Sequence, residues 1–316
     1  LVIANFAYLL MFDIRNNNIY VPIVFITLAF GLMGWFWPDF LQKNQYVLLS
    51  VLVLLIGLPH GATDFLLFRR LRGPGLSKQQ IIRFFLFYLS AVLGVLGCWI
   101  FFPPIALLLF ILISCYHFGQ SNWQYAQLPR WITFILNLAW GAFALGGALL
   151  WHWDESSVII RQLAGNIPPW SDATMAAVQW LILLVNIVLL FCLWAAQLID
   201  KQQLLREMTN FVVLSFMLWF TPMLVGFTLY FTLWHSLGSL LDQITFFRRR
   251  WPTFSLLHYY RQAAPYTLLS VSGLAALMLG QSYLFSNVSI VSLFFILISC
   301  ITLPHILLVE ESYSQG

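Results

Sequence analysis

Apolar runs of roughly 20 residues recur along the whole chain, and this is the length a helix needs to cross a bilayer. The pattern predicts an all-α, polytopic integral membrane helical bundle with about 10 transmembrane segments. One apolar region, 209–241, is long enough for two passes and holds Thr221 and Pro222 near its middle. After a partial segment that ends near Phe12, the other predicted helices cover about 19–38, 45–68, 81–102, 103–119, 131–151, 174–198, 265–285 and 287–309.

Composition agrees with a membrane protein and excludes an ordinary soluble domain. Hydrophobic residues make up 61% of the chain and charged residues only 8%, against about 25% charged residues in soluble domains. No stretch is long or polar enough to fold separately, so we expect a single integral-membrane domain over 1–316. Leu1 opens inside an apolar run without a methionine, so we expect further residues upstream. We expect membrane lipid as a partner and no nucleic acid.

Basic residues predict the orientation, because loops rich in Lys and Arg stay in the cytoplasm. If 209–241 crosses the membrane twice and turns at Pro222, all of the 15 Lys and Arg except Lys43 and Arg161 lie inside. The loop 152–173 is then external, and its acids Asp154, Glu155 and Asp172 suit that side. We therefore predict a multi-pass protein of the inner (plasma) membrane. The residues that mark its cytoplasmic loops are Arg69, Arg70, Arg72, Lys78, Arg83, Arg248, Arg249, Arg250 and Arg261.

Four histidines lie inside or at the ends of apolar segments: His60, His117, His235 and His305. An imidazole in hydrocarbon must be satisfied by a partner, a metal ion or water, and a single one is usually a satisfied interior residue. In the predicted topology all four lie in the cytoplasmic half of the membrane. Four neutral imidazoles at one depth predict a shared metal site. Such a site suits iron, copper, zinc or nickel rather than magnesium or calcium.

Asp64 is the only acid deep in an apolar segment, and it follows His60 by one helical turn. In one interpretation its carboxylate accepts the ring N–H of a metal-ligating histidine and fixes the tautomer. In the other it is a helix-end carboxylate that reaches Arg69 or Arg70.

The remaining polar and reactive residues have simpler interpretations. His152 lies between two tryptophans in an interfacial belt, and His258 lies beside two tyrosines in a cytoplasmic loop, so both are interpreted as surface or belt residues. The 29 Phe, 14 Trp and 12 Tyr could line a tunnel for a polyene, but such residues more often face lipid or pack between helices. Four cysteines without paired spacing are interpreted as buried small hydrophobes, namely Cys98, Cys115, Cys192 and Cys300.

Four short motifs give the chain a resemblance to a known family. Residues 57–64, Gly-Leu-Pro-His-Gly-Ala-Thr-Asp, resemble the Gly-Leu-Pro-His-Gly-Ala-x-Asp signature of the Brp/Blh family, the bacterial and archaeal β-carotene 15,15′-dioxygenases. Residues 116–119 (Tyr-His-Phe-Gly), 230–236 (Tyr-Phe-Thr-Leu-Trp-His-Ser) and 303–305 (Leu-Pro-His) are similar to three later motifs, in the family's order.

The resemblance implies a membrane-embedded non-haem iron dioxygenase. Such an enzyme cleaves the central 15,15′ double bond of β-carotene or a related carotenoid with O2 and releases retinal, which would supply a microbial rhodopsin. It also implies Fe(2+) as the cofactor, held by His60, His117, His235 and His305, with Asp64 assisting catalysis.

The chain departs from the family pattern at Ser239, where family members usually carry a second histidine of the third motif. Three outcomes are open. His305 supplies the fourth imidazole, or the site has three histidines and water, or iron binding is weakened and the substrate preference or activity changes.

Two other functional classes are compatible with the sequence. One is a membrane cytochrome in which pairs of histidines hold haem, and a Soret band in the purified protein would identify it. The other is a non-catalytic carotenoid- or retinal-binding partner of a rhodopsin, which would hold pigment without iron and without oxygen uptake.

Overall fold

The structure, a computed structural model, describes residues 17–73, 75–123, 128–249, 251–285 and 288–314. Across these ranges all regular structure is helical, which confirms the predicted all-α class. Two π-helical turns, Val53–Gly57 and Tyr230–Ser236, and a four-residue segment, Leu58–Gly61, interrupt the α-helices. The α-helices are α1 (Asn17–Phe36), α2 (Pro38–Leu52), α3 (Asp64–Arg72), α4 (Lys78–Phe101), α5 (Pro103–Trp123), α6 (Arg130–Leu150), α7 (Trp153–Ala164), α8 (Asp172–Ala195), α9 (Lys201–Phe220), α10 (Met223–Leu229), α11 (Leu237–Arg248), α12 (Leu256–Leu284) and α13 (Ile290–Ser314).

Helices long and apolar enough to cross a membrane number nine within the described residues, which confirms a multi-pass bundle. Helix α9 is not among them although it has 20 residues, because its first half carries Lys201, Arg206 and Glu207. The predicted partial segment ending near Phe12 lies outside the described residues, as does Arg250. The spans are Ile19–Phe36, Pro38–Arg72, Lys78–Phe101, Pro103–Trp123, Arg130–Leu150, Asp172–Ala195, Met223–Arg248, Leu256–Leu284 and Ile290–Glu311.

The chain turns at Thr221 and Pro222, where the sequence predicts a hairpin. Helix α9 ends at Phe220, and Pro222 directly precedes α10, a position where its missing N–H costs no helical hydrogen bond. A Cβ on Gly226 would lie 3.2 Å from Leu218 Cδ2, so α10 folds back against the end of α9. The membrane orientation of this hairpin stays a prediction.

Two compact units make up the described chain. The first unit comprises the residues up to Gly57, Ser114–Ser157 and Pro169–Asp242, and the second comprises Leu58–Ile113, Val158–Pro168 and the residues from Gln243 onward. The expectation of a single integral-membrane domain over 1–316 stays a prediction.

Glycines bring the helices of the first unit close together. A Cβ on Gly119 of α5 would collide with the backbone of Asn137 in α6, and a Cβ on Gly141 of α6 would collide with the backbone of Cys115. Small residues allow this close backbone approach between membrane helices. The α5–α6 contact holds the helix that carries His117 firmly against its neighbour.

In the second unit, α13 packs along α4, and Trp99 Nε1 donates to Ser299 Oγ at 2.6 Å. Helix α12 begins at Leu256, about nine residues earlier than predicted, because Ser255 caps a polar first turn that hydropathy does not reveal. This extra length brings Tyr259, expected in a loop, into a fully buried position.

The segment 152–173, expected only as an outer loop, contains helix α7. Asp154 and Glu155 lie in its first turn and Arg161 in its last. This charge order favours a helix through its macrodipole.

Candidate metal-binding histidines

All four histidines singled out in the sequence are buried. Their exposed fractions are 5% for His60, 5% for His117, 1% for His235 and 5% for His305. Two belong to each unit, so the structure brings them together in pairs.

His117 and His235 form the pair in the first unit. Their ring centroids are 4.7 Å apart, and the ring planes meet at 75°. Phe118 and Phe231 flank His235 with ring centroids at 4.9 and 6.1 Å. The pair is therefore buried, with aromatic rings of its own unit beside His235.

Hydrogen bonds orient both rings of this pair. Ser121 Oγ donates to the Phe118 carbonyl at 3.0 Å, so the same oxygen accepts the Nδ1–H of His235 at 3.2 Å. His117 Nδ1 lies 3.4 Å from Gln120 Oε1, an amide oxygen that can only accept. Both imidazoles are thus directed to carry their lone pair on Nε2, the nitrogen that can ligate a metal ion.

His235 lies within the π-helical turn Tyr230–Ser236. The other π-helical turn, Val53–Gly57, helps to position a neighbour of His235. Gly57 makes room for the ring of Phe231, since a Cβ there would lie 2.7 Å from Phe231 Cε1. π-Helical turns occur frequently at functional sites. Ser239 follows one turn later on α11 and is buried.

His60 and His305 form the pair in the second unit. Their ring centroids are 5.2 Å apart, with the planes at 86°. Within each pair the rings touch edge to face, which leaves no space for a haem plane between the two rings.

Asp64 is buried and bonds to the second of these histidines. Asp64 Oδ1 accepts from His305 Nδ1 at 2.7 Å, and Tyr88 OH donates to Asp64 Oδ2 at 3.0 Å. This is the kind of hydrogen bond that the tautomer-fixing interpretation expects. It gives His305 the same arrangement as His235, with Nδ1 facing oxygen.

Two residues that the sequence did not single out hold the backbone around His60. The segment Leu58–Gly61 ends one residue after His60, so its last carbonyl groups lack helical partners. Gln243 Nε2 donates to the His60 carbonyl at 3.0 Å, and Tyr259 OH donates to the Pro59 carbonyl at 3.1 Å. Nothing in the local sequence around Gln243 or Tyr259 could have identified them, because their partners lie in distant parts of the chain.

A second buried acid, Glu207, lies just outside the apolar segments in which the sequence singled out Asp64. Glu207 of α9 is 1% exposed, and its Oε2 accepts from Asn122 Nδ2 and Asn210 Nδ2, each at 3.2 Å. Tyr20 OH donates to Asn210 Oδ1 at 2.7 Å. Glu207 was missed because it lies in a polar stretch that looks solvent-exposed in the sequence.

The two remaining histidines lie apart from both pairs. His152 is half-buried, and its Nε2 donates to the Leu218 carbonyl at 2.7 Å, near the end of α9. His258 is exposed beside the cap of α12, where its Nδ1 lies 3.0 Å from Ser255 Oγ. Both have structural partners that suit the interpretation given from the sequence.

A family described as β-carotene 15,15′-dioxygenase matches residues 51–311 of this chain. The chain belongs to that family. The match includes all four histidines and Asp64. The β-carotene 15,15′-dioxygenase of an uncultured marine bacterium, 66A03, is 25% identical over 197 residues, which cover 58% of this chain and 64% of that relative. The chain thus spans less than two thirds of the relative's length, and no solved structure matches.

Membership of the β-carotene 15,15′-dioxygenase family implies a metal cofactor, and the residues present fit one. His60, His117 and His235 could each offer one ring nitrogen to a metal ion. For His235 and His305 the other nitrogen faces a serine hydroxyl or a carboxylate, the usual arrangement around metal-ligating imidazoles.

Proposed function

We propose that this chain is a membrane-embedded iron dioxygenase that cleaves β-carotene, or a related carotenoid, at its central double bond. In the overall reaction the 15,15′ bond breaks and each of its carbons gains one oxygen atom. One carotenoid and one O2 then give two molecules of retinal, with atoms in balance.

The observation that carries the proposal is the hydrogen bonding of the buried histidines within a chain of this family. His235 and His305 each direct Nδ1 to an oxygen acceptor, which fixes the metal-binding tautomer before any ion arrives. Burial also keeps water away from the nitrogens.

In this proposal His60, His117, His235 and His305 ligate Fe(2+). Iron supplies the dioxygen chemistry that amino-acid side chains lack. Asp64 is a positioning residue, because it acts through His305 and holds the Nδ1 proton of that ring. Ser121 does the same for His235.

The aromatic residues around His235 would present an apolar surface to the polyene. Phe118 and Phe231 pack beside this imidazole, and the Phe227 ring stacks on Phe231 with centroids 5.7 Å apart. A hydrocarbon substrate enters such a site from the lipid without passing through water. Exclusion of water also protects the reacting centre from side reactions.

The proposed location is the inner (plasma) membrane, with the metal site in the cytoplasmic half. Charge bias along the chain supports this orientation. A link to a microbial rhodopsin follows from the product, since retinal is the chromophore such a protein needs.

The deciding experiment is expression of the chain in a bacterium that makes β-carotene. We expect the orange cells to lose colour while retinal accumulates, as measured by liquid chromatography of cell extracts. Purified protein should contain about one iron per chain by elemental analysis, and single changes of His60, His117 or His235 to alanine should abolish it. His258→Ala is the matched control, because this histidine is exposed.

Three results would oppose the proposal. Bound carotenoid that is never cleaved, in protein without iron, would indicate a pigment-binding partner instead. A Soret band would indicate haem. Full iron occupancy in all three alanine variants would remove the site assignment.

A further inference from the structure

A cavity of about 520 Å³ opens in the second unit, and none of the assigned site residues lines it. Its volume falls within the range of about 300–1,000 Å³ typical of ligand pockets. Phe68, Phe87 and Leu307 contribute to its apolar wall, and Arg72, Arg83 and Glu311 supply the charged groups. It therefore combines a hydrophobic surface with an ionic one.

The cavity lies where the ends of three candidate membrane spans meet. Arg72 is the last residue of one span and Glu311 the last of another. Arg83 follows the start of a third span, at Lys78, by about 7.5 Å along the helix axis. Span ends lie at the level of the lipid headgroups, and a long arginine side chain reaches that level from slightly deeper positions.

The charges of the cavity leave one cation uncompensated. Arg72 forms a two-point ion pair with Glu311, with N–O distances of 2.7 and 3.0 Å. Arg83 is exposed, and among the described residues it has neither a hydrogen bond nor an ion pair. The cavity thus carries a net positive charge, and its one carboxylate is already engaged.

We propose that this cavity binds the phosphate headgroup of an anionic phospholipid. Arg83 contacts the phosphate, with Arg72 beside it, and an acyl chain lies along Phe87 and Leu307. These two apolar side chains are 51% and 49% exposed, so a lipid chain would cover surface that otherwise faces the bilayer. A zwitterionic headgroup fits less well, because its cationic end would find no carboxylate that is not already paired.

The test is a lipid titration of the purified full chain in detergent, followed by native mass spectrometry. Phosphatidylglycerol is the anionic probe, phosphatidylcholine the zwitterionic one, and inorganic phosphate the competitor. We expect retention of phosphatidylglycerol in preference to phosphatidylcholine, with no displacement by inorganic phosphate. Arg83→Gln should weaken phosphatidylglycerol binding about fivefold, the effect of losing one basic residue near an anionic headgroup.

Arg261→Gln is the matched control, because this arginine is also exposed and belongs to the same unit but does not line the cavity. It should bind phosphatidylglycerol as the wild type does. Leu307→Trp, which fills the apolar side of the cavity without changing charge, should weaken binding as well. Equal binding of the two lipids, an equal loss in Arg261→Gln, or displacement by inorganic phosphate would each overturn the proposal.

Discussion

Ser121 holds the imidazole of His235 through a relay of two hydrogen bonds, from His235 Nδ1 to Ser121 Oγ and from Ser121 Oγ to the Phe118 carbonyl. Removing the hydroxyl should let the ring choose the other tautomer or rotate. Ser121→Ala is therefore expected to lower metal affinity or activity about 10- to 100-fold. The measurements are iron content by elemental analysis and the rate of retinal formation.

The matched control for Ser121 is Ser215→Ala, a change of the same size at a half-buried serine of α9 in the same unit. Ser121→Thr keeps a hydroxyl and should retain most of the iron. If Ser121→Ala binds iron and turns over like the wild type, this hydroxyl does not orient the ligand.

Asp64 offers a second test at the residue scale, because its two oxygens serve His305 and Tyr88 separately. Asp64→Asn replaces the carboxylate that accepts the Nδ1–H of His305 with an amide. We expect metal affinity or activity to fall about 10- to 100-fold. Folded yield should fall much less. Tyr88→Phe removes only the outer hydrogen bond and should have a smaller effect.

Asp172→Asn, at the exposed start of α8, is the control for removing a carboxylate. The comparison uses iron per chain and turnover, each normalised to monodisperse protein in size-exclusion chromatography. Wild-type turnover in Asp64→Asn would mean that the carboxylate only stabilises the helix end.

In the proposed metal site, the residues at positions 239 and 305 would set whether three or four imidazoles hold the ion. Ser239 lies one helical turn after His235 and is buried, and the resemblance described from the sequence leads us to expect a histidine at this position. We expect His305→Ala to lose iron as completely as His235→Ala does. Ser239→His in the His305→Ala background should restore part of it.

The measurement is iron content across these four proteins, the two single alanine variants, the double variant and the wild type. Retention of iron and cleavage activity by His305→Ala would make His305 a structural histidine. The site would then have three imidazoles, with water or substrate completing it.

At the scale of helices, Glu207 ties the end of α5 to α9. Its carboxylate accepts from Asn122, the neighbour of Ser121, while His117 lies one turn earlier on α5. Glu207→Leu would leave the buried amide of Asn210 and the half-buried amide of Asn122 without this acceptor, at a cost of about 1–3 kcal/mol for the buried one. We expect a lower melting temperature together with loss of iron, and Glu207→Gln should recover much of both.

Asn186→Leu is the control for this prediction, because Asn186 links α8 to the Ala139 carbonyl of α6 with a part-buried hydrogen bond at 2.9 Å. It should lower the melting temperature but keep the iron. If Glu207→Leu folds and retains full iron occupancy, the contact stabilises the unit without positioning α5.

The elements differ in how far the sequence could predict them. Hydropathy located most of the spans and the break at Pro222, because each depends on local composition. It could not reveal the π-helical turn Tyr230–Ser236, which carries His235, since no local signal marks it. The other π-helical turn, Val53–Gly57, is explained by Pro59, which removes a backbone hydrogen-bond donor. The hydrogen bond between Asp64 and His305 joins residues 241 positions apart, so it depends on tertiary packing alone.

On the scale of the whole molecule, the distribution of Lys and Arg predicts which side of the membrane each loop faces. The assignment depends on α9, because this helix is too polar to qualify as a span by composition. It must nevertheless cross the membrane if the basic residues before and after the hairpin are both to lie in the cytoplasm. If α9 and the span Met223–Arg248 both cross, Lys201 and Arg248 lie on the same side. If only one of them crosses, the two residues lie on opposite sides.

Single cysteines in exposed positions distinguish these topologies. In intact spheroplasts, we expect a membrane-impermeant maleimide to label Asn166→Cys, a position that follows α7 and is predicted to lie outside. Gln79→Cys, Gln202→Cys and Thr253→Cys should be protected until the membrane is permeabilised, because charge bias places all three inside. The unsubstituted chain is the control for its native cysteines, Cys98, Cys115, Cys192 and Cys300. Labelling of Thr253→Cys with protection of Gln202→Cys would mean a single crossing between them, and the cytoplasmic assignment of His235 would then be wrong.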